Sequence, residues 1–285
     1  MMIRSDIFPG RRFFNSSVSG ASLEDHIAIY ELYHEKKLDP AIVIIAVDPW
    51  LLNRYNGQNR WKSLEGEYVA ATERFSQSPP SLFGSAVFGA EGAKLLELIS
   101  PSYFQQSLKA LLHYSKPEPY VSTSAEEGET QIKRGDGAIS YDQKTRSLSV
   151  DEVRRAAISY AEQGSVYSLE KFVSLDADYQ KEMDNFLTSL RRENIRVVML
   201  LAPYHPEVYK RLIEQQKYRI IVKAQRFFEE LAQRHAIPLL GSFNPADCGC
   251  SDADFYDGMH PRESCVRKIL GDKDTLFTVS KKPAS

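Results

Sequence analysis

Three cysteines in 285 residues cannot all pair internally and spell out no disulfide framework. Long apolar runs are absent too, and nothing approaches the roughly eighteen residues of a membrane span. The opening Met1-Met2-Ile3-Arg4-Ser5-Asp6-Ile7-Phe8-Pro9-Gly10 lacks the apolar core of a signal peptide. As it stands the chain reads as soluble, without an export signal. Charge of one sign is not in excess: 36 Lys+Arg against 38 Asp+Glu leave −2, which argues against a mainly electrostatic nucleic-acid binder. No internal repeat or low-complexity tract stands out. What is present, 42% hydrophobic and 26% charged residues, is an ordinary globular composition that supports a full core, as one domain with insertions or two small ones.

The strongest organisational signal is two apolar runs. Ala41 to Val47 is continuously apolar and mostly β-branched, the pattern of a strand buried on both faces of a parallel sheet. Ile195 to Ala202 is a second such strand, and Ile237-Pro238-Leu239-Leu240 a short third. Arg12-Phe13-Phe14-Asn15 reads as a further short strand. Helical spacing runs over 23–37, with Ser22 as N-cap and Asp25 as its capping partner. It returns over 151–163 and 176–193, and as one long helix over 207–234. Fragments at 94–99 and 103–113 are amphipathic, and Gly135-Asp136-Gly137 is a turn feeding a strand at 138–141. Alternating strands and helices indicate an α/β domain whose ligands sit beyond the carboxyl ends of the strands.

Polar loops follow each predicted strand, so they gather on one rim. Asp48 and Asn53 follow the first run, with Trp50 between them. Tyr204 and His205, in Pro203-Tyr204-His205-Pro206, follow the second and are candidates for substrate contact. The third leads to Tyr256-Asp257-Gly258-Met259-His260-Pro261. An aspartate three residues before a histidine is a compact acid/base device: the imidazole takes a proton while the carboxylate sets its tautomer and stabilises its charge. Cys248-Gly249-Cys250 with neighbouring acids invites a metal reading, but the spacing suits neither zinc nor calcium, and no metal or cofactor is expected. His26, His34, His113 and His235 sit in largely polar helical contexts and read as solvated.

Taken together, the small-residue loop Asn15 to Ser22, the strand and loop Ile42 to Asn53, and Asp257-x-x-His260 resemble the SGNH (GDSL-type) hydrolase superfamily. The likeness is nearest to bacterial envelope-associated branches linked to surface polysaccharides, and it covers residues 3–53 and 176–272. It implies a three-layer, flavodoxin-like parallel sheet, with 1–53 and 176–285 as the core and 54–175 as a mixed insertion or lid. By this resemblance His260 is general base, Asp257 its orienter and Gly20 an oxyanion donor. Asp48 falls where the family places a Gly-x-Asn-Asp block, so the usual asparagine is missing, and Asn53 is its candidate substitute.

The family's nucleophilic serine precedes the glycine loop, and Met1 to Gly10 holds no Gly-x-Ser turn. Ser17, Ser19 and Ser22 read as capping hydroxyls. The expectation is that the serine and first strand come from sequence before residue 1, leaving a gap of roughly 9–10 Å between Phe13-Phe14 and Ile42 to Val47. In that case a missing segment could also have carried an envelope anchor. The implied substrate is a small-molecule or saccharide ester. The competing reading is a catalytically silent carbohydrate-binding or scaffold protein on the same fold.

Overall fold

In the computed structural model, residues 3–75, 122–123, 125–163 and 169–271 are described. The amphipathic fragments at 94–99 and 103–113, with His113, lie outside them.

Helix α1 (Leu23–Glu35) starts where the sequence signals it. The Ser22 hydroxyl accepts from the Asp25 N–H, and the Asp25 carboxylate accepts from the Ser22 N–H at 2.8 Å, closing a capping box. Strand β1 (Ile42–Val47) follows. The chain then makes a 3-10 turn at Pro49–Leu52 and reaches helix α2 (Glu65–Phe75). A small second sheet comprises β2 (Ser122–Thr123), β3 (Ile132–Arg134) and β4 (Ile139–Ser140), the last two joined by the turn at Gly135-Asp136-Gly137. Short helix α3 (Gln143–Arg146) and helix α4 (Val150–Gln163) come next, then α5 (Ala177–Arg192).

The main sheet is completed by β5 (Arg196–Leu201) and β6 (Leu239–Gly241), in the order β1-β5-β6 and all parallel. Register runs from Ile42 opposite Arg196 to Val47 opposite Leu201. The chain is therefore α/β with a parallel sheet, as the two apolar runs indicated. Val43, Ile45, Val47, Val197, Met199 and Leu201 share a cluster with Leu23 and Ile27 of α1 and Phe186 and Leu187 of α5. Alternate residues, including Ile44, Val198 and Leu200, pack in a second cluster with Ile3, Ile7, Phe8 and the apolar side of α8 (Glu263–Leu270). Side chains alternate across a strand, so one sheet supplies both cores.

Three expectations need correction. Strand β1 packs on both faces but is not fully buried: Ile42, Val43, Ile44 and Ala46 are half-buried, because among the described residues no strand pairs with its outer edge. Arg12 to Asn15 forms no strand. Phe14 is 54% exposed, and the Asn15 N–H is given to the Asp136 carbonyl at 2.8 Å, fastening the segment to the β3–β4 turn. The single helix expected over 207–234 is two, α6 (Pro206–Ile213) and α7 (Ile220–His235). Between them the chain makes a 3-10 turn that drives Tyr218 fully into the core. Burial of one large aromatic outweighs the continuity of helical hydrogen bonds there. Of the 54–175 stretch, Ala71 and Phe75 of α2 and Ala157 and Ala161 of α4 belong to the larger core cluster.

The β3–β4 turn is the anchor for the amino-terminal segment. Gly137 has φ +80°, and a Cβ there would stand 2.3 Å from the Asn15 carbonyl oxygen. Gly249 has φ +62° with open space around it. Gly137→Ala should cost about 2–3 kcal/mol in urea denaturation and Gly249→Ala only about 1, since only the first adds a backbone clash to left-handed strain.

Candidate functional site

Backbone hydrogen bonds draw the loops after the strands together. Beyond β5, the Tyr204 N–H is given to the Phe243 carbonyl at 3.1 Å and the His205 N–H to the Gly258 carbonyl at 3.0 Å. Beyond β1, the Trp50 indole N–H is given to the Ala21 carbonyl at 2.9 Å, which holds the small-residue loop against the same end of the sheet. Gly20 sits in that loop at φ +64°, in a turn closed by the Ala21 N–H on the Val18 carbonyl.

At the tip of the last loop is the carboxylate–imidazole pair. The chain pinches itself through a bridge between Phe255 and Pro261, with the Tyr256 N–H on the His260 carbonyl at 2.9 Å. Asp257 then turns its carboxylate inward. Oδ1 accepts from the Met259 N–H at 2.8 Å and the His260 N–H at 2.9 Å, while Oδ2 stands 2.8 Å from His260 Nδ1. Burial works against ionising Asp257, but the imidazole and the two backbone N–H groups outweigh it and hold its pKa below the usual carboxylate value. A carboxylate that accepts at Nδ1 fixes that nitrogen as the donor and leaves Nε2 to take a proton.

The pair is mounted rigidly. Arg262 donates to the Phe255 carbonyl at 2.7 Å and lies over the Tyr256 ring at 4.5 Å. Asp254 accepts from Lys268, Ser264 and the Ser251 N–H. Burial opposes its ionisation, yet these donors hold it at about 2. A disulfide between Cys250 and Cys265 ties the start of the loop to α8, so Cys250 is no metal ligand and Cys248 is the free thiol. Gly258 fits where a Cβ would meet Tyr160 and Val208 at 3.0 Å. Tyr141 stands edge-on to His260, ring centres 5.9 Å apart, and to Tyr256 at 5.2 Å.

Asp48, at the end of β1, belongs to the same electrostatic neighbourhood. Burial pushes its carboxyl up to about 6, with the nearby His260 charge acting in the opposite sense. The sequence-predicted residues thus divide. Asp257 and His260 are paired and Asp48 feels the His260 charge, while Trp50 ties the Gly20 loop to the same strand-end edge. Asn53 is buried and spends its Oδ1 on the Tyr55 N–H at 3.0 Å. Tyr204 is buried against Phe243. His205 is fully buried: Nδ1 accepts from the Glu207 N–H as the cap of α6, and Nε2 stands 3.9 Å from Asp252. His26, expected to be solvated, is half-buried near the end of β1, and desolvation lowers its pKa to about 4.

Among the described residues no serine is hydrogen-bonded to His260. Ser16 is paired with Tyr33, Ser17 with Asn15, and Ser22 is held in the capping box. Sequence reasoning missed the aromatic wall of Tyr141 and Tyr256, since no local pattern relates residues so far apart. The Cys250–Cys265 bridge was equally silent, because cysteine spacing alone does not specify connectivity. Fold and site together describe an α/β protein with an acid/base pair at the strand-end rim. No protein-family model, curated protein or solved structure matches the chain.

Two outcomes follow from these electrostatics and this covalent tie. A carboxyl whose folded pKa is raised favours the fold below its unfolded value, near 3.9, and loses that advantage as pH climbs through about 6. Asp48→Asn should therefore be more stable than wild type by about 1–2 kcal/mol at pH 7.5, with the gap closing at pH 4, in paired urea melts. Cys250 and Cys265 are 15 residues apart. Reduction should cost about 2–4 kcal/mol and speed amide exchange first across 251–264, as hydrogen-exchange mass spectrometry will report.

Proposed function

We propose that the protein is an SGNH-type ester hydrolase or acyltransferase relative acting on an O-acyl group, plausible substrates being acylated saccharides. The observation that carries this reading is the Asp257–His260 pair, with Nδ1 occupied and Nε2 open, on the rim that also holds Asp48 and the Gly20 loop. His260 acts as base toward the attacking hydroxyl and then returns the proton to the leaving oxygen. By the resemblance, Gly20 would give a backbone N–H to the developing oxyanion. Asp48 takes the part of the missing asparagine. Ionised, it would repel an oxyanion; kept protonated by desolvation, it donates a hydrogen bond to one. The attacking hydroxyl is either water or a serine reaching Nε2 from outside the described residues. Labelling by a serine-directed phosphonate separates the two.

One observation favours a second reading, a saccharide-binding protein without turnover. Tyr141 stands edge-on to both His260 and Tyr256, and Arg262 lies over the Tyr256 ring, so aromatic surface suited to contact with a sugar lies beside the dyad. Hydrolysis of a short acyl ester decides between them. The esterase reading expects turnover that falls at least about 100-fold in His260→Ala. It also expects activity to decline as pH rises through about 6, a limb that disappears in Asp48→Asn. Absence of turnover, with saccharide binding that survives His260→Ala and fails in Tyr141→Ala, would establish the second reading instead.

A further inference from the structure

His205 joins the dyad loop to the body of the domain, and its ring is fully buried with one nitrogen engaged and the other not. Nδ1 accepts from the Glu207 N–H at 3.2 Å and so caps α6, a place usually taken by a Ser, Asp or Asn side chain. Pro206 brings no N–H, which makes Glu207 the first donor of that helix. Nε2 has no hydrogen-bond partner, and the Asp252 carboxylate stands 3.9 Å away, beyond bonding distance. An imidazole that accepts at Nδ1 keeps its proton on Nε2 and is neutral.

The same residue holds the loop that carries Asp257 and His260. Its N–H is given to the Gly258 carbonyl at 3.0 Å, and its ring stands edge-on to Phe255, centres 5.3 Å apart. Phe255 is one side of the bridge that pinches the loop. The charges acting on the imidazole come from Asp252 in the 3-10 turn Asp252–Asp254, Arg154 of α4, Glu207 of α6 and Asp257 of the loop. Arg154 engages Glu207 at 2.6 Å and Asp252 at 3.5 Å, and Arg211 also pairs with Glu207. Burial prevails over the carboxylates and lowers the His205 pKa from its ordinary value.

We propose that His205 is a positioning residue for the Asp257–His260 loop and gives that loop a pH-sensitive mounting. The neutral ring holds the start of α6 and the loop together; the protonated ring releases the helix and turns to Asp252. A proton on Nδ1 converts the acceptor into a donor that faces the Glu207 N–H, and two donors repel. Nε2–H then gains a charge-assisted bond by closing the 3.9 Å gap to Asp252. That movement disturbs the Phe255 contact and the Gly258 link, because ring and backbone belong to one residue. The unfolded ring takes its proton near pH 6.5 and the folded ring only below that, so the fold loses stability as pH falls through about 6.5. The mounting is independent of whether the pair turns over an ester.

The test is amide hydrogen exchange of the full chain by NMR from about pH 7.5 to about 4.5, expressed as protection factors. The Met259 and His260 amides, which donate to Asp257, are followed. Their wild-type protection should fall at least about fivefold as pH drops below about 6. His205→Asn keeps an acceptor for the Glu207 N–H but does not titrate, so its protection should stay within about twofold. Every other titrating group is common to both proteins, and the difference isolates the ring. Asp252→Asn removes the carboxylate that draws the ring and should move the transition to lower pH by about 0.5 unit or more. If His205→Asn fails to fold, Asp252→Asn and the wild-type imidazole nitrogen spectrum carry the test, the latter with Nε2–H expected at about pH 7.5. A proton on Nδ1 at that pH, no fall in wild type, an equal fall in His205→Asn, or a transition unmoved by Asp252→Asn would each overturn the proposal.

Discussion

Strand β5 is hydrogen-bonded to a parallel neighbour on each side, and from Val197 to Leu201 it is buried. A strand so placed cannot slip, because a one-residue shift would exchange the residues facing the two clusters. The register that results puts Val47 beside Leu201 and Leu201 beside Gly241, so three strands stop level with one another. Everything polar that follows them is delivered to one edge. Asp48 comes from the first, the Tyr204–His205 corner from the second, and the loop with Asp257 and His260 from the third. Neither half of the rim could be placed without the central strand.

At that edge, three aspartates show how environment assigns chemistry to one side-chain type. Asp254, ringed by donors and Lys268, is held at about 2 and serves as a fixed anchor for the loop. Asp257 is held low by an imidazole and two backbone N–H groups, and orients that imidazole. Asp48 has burial as its dominant influence and rises to about 6. Desolvation acts on all three; hydrogen-bond donors decide whether it prevails. The same logic operates at a distance in Glu182, where burial raises the carboxyl although the Tyr68 hydroxyl donates to it.

Where the residues were local in sequence, the sequence was readable. The Ser22–Asp25 capping box, the helices at 151–163 and 176–193, and the Gly135–Gly137 turn rest on patterns a few residues long. So does the Asp257–His260 contact, which a three-residue spacing and an Asx turn nearly enforce. What eluded it was long-range. Arg12 to Asn15 has the composition of a strand but finds its partner at Asp136. His205 follows a strand as a rim residue would, yet the Gly258 backbone and Phe255 ring enclose it.

The sequence by itself determined the α/β class, the parallel pairing of its two apolar runs, and the acid/base couple in the last loop. These follow from periodicity and from short-range stereochemistry, which each residue carries with it. Only the tertiary structure decided that, among the described residues, β1 stands at the edge of its sheet, that Cys250 joins Cys265, and that Tyr141 stands edge-on to both His260 and Tyr256. It alone made Asp48 a weak acid and left Nε2 of His205 without a hydrogen-bond partner. Burial, and the donors that do or do not accompany it, are properties of what packs around a residue, and no spacing along the chain encodes them.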